Sequence, residues 1–169
     1  MKVLAAIAAV LSSSISLAAA APHPRANLPT EINIAGFAAS TEPTKPDAQD
    51  LTDHPSNGRV SFTVSVLGGG AATKCAFNGP AAEGGLLPDV SWRACDDAAF
   101  QWQFRHEPSR PGTSGPYLLV VTYWVDAQTG QRVAGFREWQ ASVFPISESA
   151  DGTSQAYNGE ADFSITDLS

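Results

Sequence analysis

The stretch Arg59-Val60-Ser61-Phe62-Thr63-Val64-Ser65-Val66 leaves little choice of local structure. Its apolar residues fall at every second position. In an extended chain this puts Val60, Phe62, Val64 and Val66 on one face and Ser61, Thr63 and Ser65 on the other, whereas a helix would scatter them around its circumference. Phe100-Gln101-Trp102-Gln103-Phe104 repeats the device, with aromatic rings on one side and amides on the other. Ile32-Asn33-Ile34 alternates and continues toward Phe37, and residues 163–166 alternate near the end. Residues 117–125 form a β-branched and aromatic run with both faces apolar. Such a run fits a strand covered on both sides or an exposed patch that meets a partner. Residues 131–139 follow a turn-rich connector at 126–130, so the two runs read as a hairpin.

Outside the N-terminal run no convincing 3.6-residue stripe appears, and glycine and proline interrupt almost every window that could hold a helix. A single helical turn near residues 96–99 is all that the pattern accommodates. The expectation is all-β: one antiparallel domain, a β-barrel or β-sandwich, from Ile32 to Leu168. Its predicted core is Ile34, Val60, Phe62, Val64, Val66, Phe100, Trp102, Phe104, Leu119, Val121, Tyr123, Phe163 and Ile165.

The first residues set the compartment. Met1-Lys2 gives a positive start, an apolar run follows, and Ala18 to Ala21 end it in small residues. This is the pattern of a signal peptide covering residues 1–20, with Ala18 and Ala20 as the small-x-small pair before the cut. The run is shorter than the roughly 20 apolar residues that a membrane helix needs. The mature protein is therefore expected to be secreted, extracellular and soluble. Residues 21–30 are proline-rich and read as disordered or as a pro-segment, leaving 31–169 as the folded domain.

In an oxidising compartment, Cys75 and Cys95 favour one disulfide over two free thiols. A loop of about 20 residues closed this way would add roughly 3 kcal/mol of stability. Two cysteines without a nearby histidine pair make no zinc site, so no metal is expected. The formal net charge is −7. That balance argues against nucleic acid and anionic membrane as partners, because both call for basic patches.

Cys75 and the run Trp92-Arg93-Ala94-Cys95 also carry a resemblance, together with the strand order after them. The pattern resembles the fungal secreted family named for the major allergen of Alternaria. The opening Glu31-Ile32-Asn33-Ile34-Ala35-Gly36-Phe37 and the Ala-Pro after the signal peptide are similar too, so the resemblance covers roughly residues 30–167. It implies a compact β-barrel or sandwich, secretion by a fungus, an allergen- or effector-like role at a host surface, and no cofactor. The chain departs from the family by lacking a second cysteine pair in its C-terminal half.

Catalytic constellations are thin. His23, His54 and His106 all fall in proline-rich stretches, and no Gly-x-Ser-x-Gly elbow is present. Asp96 and Asp97 are adjacent and suit a cap or a solvated surface better than a glycosidase pair. Glu138 is placed to meet a charge on a neighbouring strand. The functional expectation is a non-catalytic binder of an extracellular host protein, with loops 40–57 and 76–90 as the recognition elements. Trp92 is expected to pack on the disulfide as core, and Trp102 to be core by its phase. Trp124 and Trp139 are the candidate binding residues. If both face outward, they make a stacking platform for a cell-wall polysaccharide, which defines the alternative, a carbohydrate-binding β-sandwich. A small secreted hydrolase is the least favoured reading.

Overall fold

Alternation along the chain becomes two stacked sheets. The computed structural model describes residues 28–43, 57–68, 71–107 and 115–169. The expected signal peptide, most of the 21–30 segment and much of the 40–57 loop lie outside those residues. The strands are β1 (Ile32–Glu42), β2 (Asn57–Val66), β3 (Thr73–Pro80), β4 (Val90–Ala94), β5 (Phe100–His106), β6 (Tyr117–Asp126), β7 (Gln131–Trp139), β8 (Ile146–Ser149), β9 (Gly152–Gln155) and β10 (Phe163–Ile165). One antiparallel sheet runs β10-β1-β2-β3, a second runs β4-β5-β6-β7, and β8 and β9 form a small hairpin.

The architecture is a sandwich. The two sheets share one core, but their edges are stitched together at points and do not zip into a closed barrel. On one side the Cys75–Cys95 disulfide joins β3 to the residue just past β4, and the Asp96 N–H donates to the Lys74 carbonyl at 2.8 Å. On the other side the C-terminus crosses between sheets. Residues Phe163 to Ile165 pair with β1, and then Leu168 bridges to Gly135 on β7. Ala134 and Ser169 exchange backbone hydrogen bonds of 2.9 Å in both directions. Gly135 admits this tail, because a Cβ there would sit 2.6 Å from side-chain carbons of Ile165 and Leu168. The tail also covers the β7 edge, which would otherwise offer unpaired backbone groups to another chain.

Between the sheets lies an aromatic core. Phe37 stacks on Trp139 at 4.9 Å and meets Tyr157 edge-on at 4.8 Å. Phe62 of β2 meets Trp102 of β5 edge to face at 5.1 Å, tying one sheet to the other. All thirteen predicted core residues are buried or packed against the core. Phe37 reaches the interior through a bulge. Ala35 faces Thr63 and Ala38 faces Ser61, so β1 carries one residue more than β2 there. Gly36, at φ +63°, absorbs the extra residue in the left-handed conformation that glycine adopts readily. Without that bulge, strict alternation from Ile34 would turn Phe37 out to solvent.

Two loop expectations are corrected. β1 runs on to Glu42 and β2 starts at Asn57, so both ends of the 40–57 segment are paired strand, with Ser40 opposite Arg59 and Glu42 opposite Asn57. Likewise β3 runs past Cys75. It continues to Pro80, which faces Asn57, so the first third of the 76–90 loop is sheet. The hydrophobic period weakens in both places, but the backbone ladder continues through polar residues. The helical turn near 96–99 is instead a tight turn: the Asp97 carboxylate accepts the Ala99 N–H at 2.9 Å, and the Phe100 N–H returns to the Asp97 carbonyl.

Candidate functional site

The two sheets differ in what they show to solvent. Outward positions of the first sheet are small, polar or charged. Asn33 faces Ser65, Ser61 faces Ala76, Thr63 faces Lys74 and Arg59 faces Asn78. Outward positions of the second sheet are different. Val120 of β6 faces Phe136 of β7, Trp124 faces Arg132, and Leu118 faces Glu138. Phe136 is 53% exposed and Trp92, on β4, is 51% exposed. A sheet face turned to solvent normally reads as polar, so this one is the feature that calls for a partner.

Trp92 owes its position to a second bulge. Val90 is buried and faces Phe104, yet Arg93, three residues on, faces Trp102, only two residues back along β5. Strict alternation from Val90 would point Trp92 inward. The extra residue reverses the phase, so the expectation that Trp92 packs on the disulfide as core is corrected: the ring lies on the outer surface. A bulge is invisible to a period-two reading because it adds a residue without changing residue type.

Trp92 lines a shallow depression of about 310 Å³ together with Gln101, Val120, Thr122, Arg132 and Ala134. Gln101 faces Thr122 across β5 and β6, and Thr122 faces Ala134 across β6 and β7, so the hollow runs across all four strands. At 4.7–4.9 Å per step, the four strand backbones beneath it span about 14 Å, and the side chains at either end lean over that span. The Arg132 guanidinium lies 5.2 Å from the centre of the Trp124 ring, in cation–π contact. Among the described residues, no carboxylate lines the hollow. Thr122 is 5% exposed, and its hydroxyl makes no hydrogen bond to another described residue. Among the described residues the buried side-chain polar atom without a partner is Trp102 Nε1 in the core, so the Thr122 hydroxyl is one that solvent or a ligand reaches.

The two predicted binding residues part company. Trp124 lies on this outer face, beside the hollow. Trp139 is 6% exposed and packs in the core against Phe37 and, edge-on, Phe144 and Phe163. The pair therefore forms no joint platform, because residues 124 and 139 point to opposite faces of one sheet. Trp92 and Phe136 are the aromatic residues that the sequence reading missed. Phe136 could have been found from its place opposite Val120 once the hairpin register was set.

A second pair of hollows flanks His106 and Tyr117 at the end of the sandwich. Their polar groups are already matched to each other. Gln155, 3% exposed, accepts the Leu87 N–H at 2.9 Å and donates to the Phe144 carbonyl at 3.0 Å. Its amide also bonds the Tyr117 hydroxyl, while its backbone N–H donates to the Thr41 hydroxyl. Burial raises the Tyr117 pKa above its ordinary value, against the opposing pull of the Gln155 hydrogen bond. His106 stacks on Tyr117 at 4.6 Å, and its Nε2 lies 3.0 Å from the Gly115 carbonyl. This network knits loop, hairpin and sheet together and leaves few groups free for a substrate.

Among the described residues, no three His, Cys, Asp or Glu side chains gather as metal ligands would. Asp97 is engaged in its turn, and Glu138 stands exposed opposite Leu118. No helix of the described residues is long and apolar enough to cross a membrane. No family model, no curated protein and no solved structure matches this chain.

Proposed function

We propose that this protein is a secreted, non-catalytic binding module whose contact surface is the outer face of the β4–β7 sheet. The observation that carries the reading is the contrast between the two outer faces: small, polar or charged on β10-β1-β2-β3, aromatic and partly exposed at Trp92, Trp124 and Phe136 on β4-β5-β6-β7. Exposed aromatic rings on a rigid scaffold are the residues that dominate recognition energetics. The disulfide between Cys75 and Cys95 suits an oxidising extracellular setting. The likeness to the Alternaria allergen family adds a fungal source and an effector- or allergen-like role at a host surface.

The face replaces the loops as the first place to look for the partner. Loop recognition would leave the apolar surface of the second sheet without a reason. The test is retention of the mature protein on immobilised host extracellular proteins and on insoluble cell-wall polysaccharides, beside the double variant Trp92→Ala, Phe136→Ala. The wild type should be retained by at least one of these and the variant by none. Equal retention of both would move the surface elsewhere, and no retention of either would end the reading.

A further inference from the structure

We infer that the hollow between Trp92 and Arg132 binds an acidic pyranoside, a sugar unit carrying a carboxylate. The inference rests on the outer-face reading above and names its ligand. Four observations converge. First, Trp92 gives a half-exposed indole at one end, a surface on which a sugar ring can stack. Second, Arg132 brings the one formal charge that lines the hollow, a planar guanidinium that matches a carboxylate in two parallel hydrogen bonds. Third, the floor between them carries the Gln101 amide and the Thr122 hydroxyl, which can bond ring hydroxyls. The Thr122 hydroxyl makes no hydrogen bond to another described residue and stays open to solvent or a ligand. Fourth, a volume of about 310 Å³ is at the small end for ligand pockets, which run from about 300 Å³ upward, and suits a single ring better than a larger ligand.

Charge decides between neutral and acidic sugars. A neutral ring would leave Arg132 without a counter-charge from the ligand, in a hollow with no carboxylate of its own. The overall charge of −7 sets the opposite limit. A densely charged polyanion would be repelled by the whole molecule, so an isolated or terminal uronic acid unit fits better than a run of them.

The test is titration of the intact protein with methyl β-glucuronide and methyl β-glucoside, followed through the tryptophan indole N–H signals by NMR. The glucuronide should shift the Trp92 and Trp124 signals saturably and leave Trp102 and Trp139 in place. The glucoside and the Arg132→Gln variant with glucuronide should each bind at least tenfold more weakly. Equal affinity for both sugars, an unaltered Arg132→Gln titration, or no shift at all would overturn the inference. Failure here is distinct from failure of the outer-face reading. If Trp92→Ala, Phe136→Ala abolishes retention while glucuronide has no effect, the surface stands and the acidic sugar is rejected. If that variant is retained like wild type, the surface itself is wrong.

Discussion

Arg93 faces Trp102 across β4 and β5, although strict counting from the Val90–Phe104 pair would put Trp92 there. That single-residue slip separates two tryptophans that the sequence treats alike. Trp102 is fully buried, and Trp92 is half exposed. Trp102→Ala should destabilise by about 3–5 kcal/mol, as for large aromatic truncations in a core. Trp92→Ala should change stability by less than about 1 kcal/mol, as for surface sites. Denaturant titration of both variants tests the pair, and acrylamide quenching should fall on removing Trp92 but not on removing Trp102.

The disulfide is the covalent link between the sheets on the β3–β4 side, spanning a sequence separation of 20. Replacing both cysteines by alanine should lower stability by about 3 kcal/mol. The strands should survive, because the shared aromatic core and the C-terminal crossing still join the sheets. Far-ultraviolet circular dichroism with denaturant melting reads both outcomes. Loss of β signal in the double alanine variant would show that the core alone cannot hold the sandwich.

Gln155 predicts a different failure. Its side chain serves the Leu87 N–H, the Phe144 carbonyl and the Tyr117 hydroxyl at once. Gln155→Leu keeps the volume but strands these groups, at roughly 1–3 kcal/mol for each one left unpaired. Hydrogen exchange should accelerate at Leu87 while β2 remains protected. An unchanged Leu87 exchange rate would mean that the network does not hold the loop.

Tyr117 adds a pH dependence. Its pKa is raised in the folded state by burial, above the ordinary value of 10.0. Above that ordinary value the unfolded chain has released the proton while the folded chain still holds it, so the unfolded state binds fewer protons and stability falls as pH rises. The contribution is complete below pH 10 and is lost on passing upward through the folded pKa. Tyr117→Phe should flatten the alkaline decline seen in melting temperature. A decline of the same steepness in the variant would assign it to other groups.

The strands with clean alternation, β2 and β5, were legible as strands and in phase, down to Phe62 and Trp102. Three things were not. The bulges at Gly36 and before Arg93 reverse a face without any change in residue type, so Phe37 and Trp92 were misplaced or passed over. Polar strands such as Ile146–Ser149 and Gly152–Gln155 carry no hydrophobic period, because they pair at the rim and pack little apolar surface. Trp139 looked eligible for the surface because its phase depends on the hairpin register, which Gly130 at φ +73° and the extra residue at Val125 set together.

The most direct test is a map of backbone amide shifts on adding whichever partner retains the protein. The account predicts changes centred on Gln101, Val120, Thr122, Arg132 and Ala134, with Asn33, Ser61, Thr63 and Ser65 undisturbed. Changes centred on those four polar positions, or on residues 81–89, would contradict it.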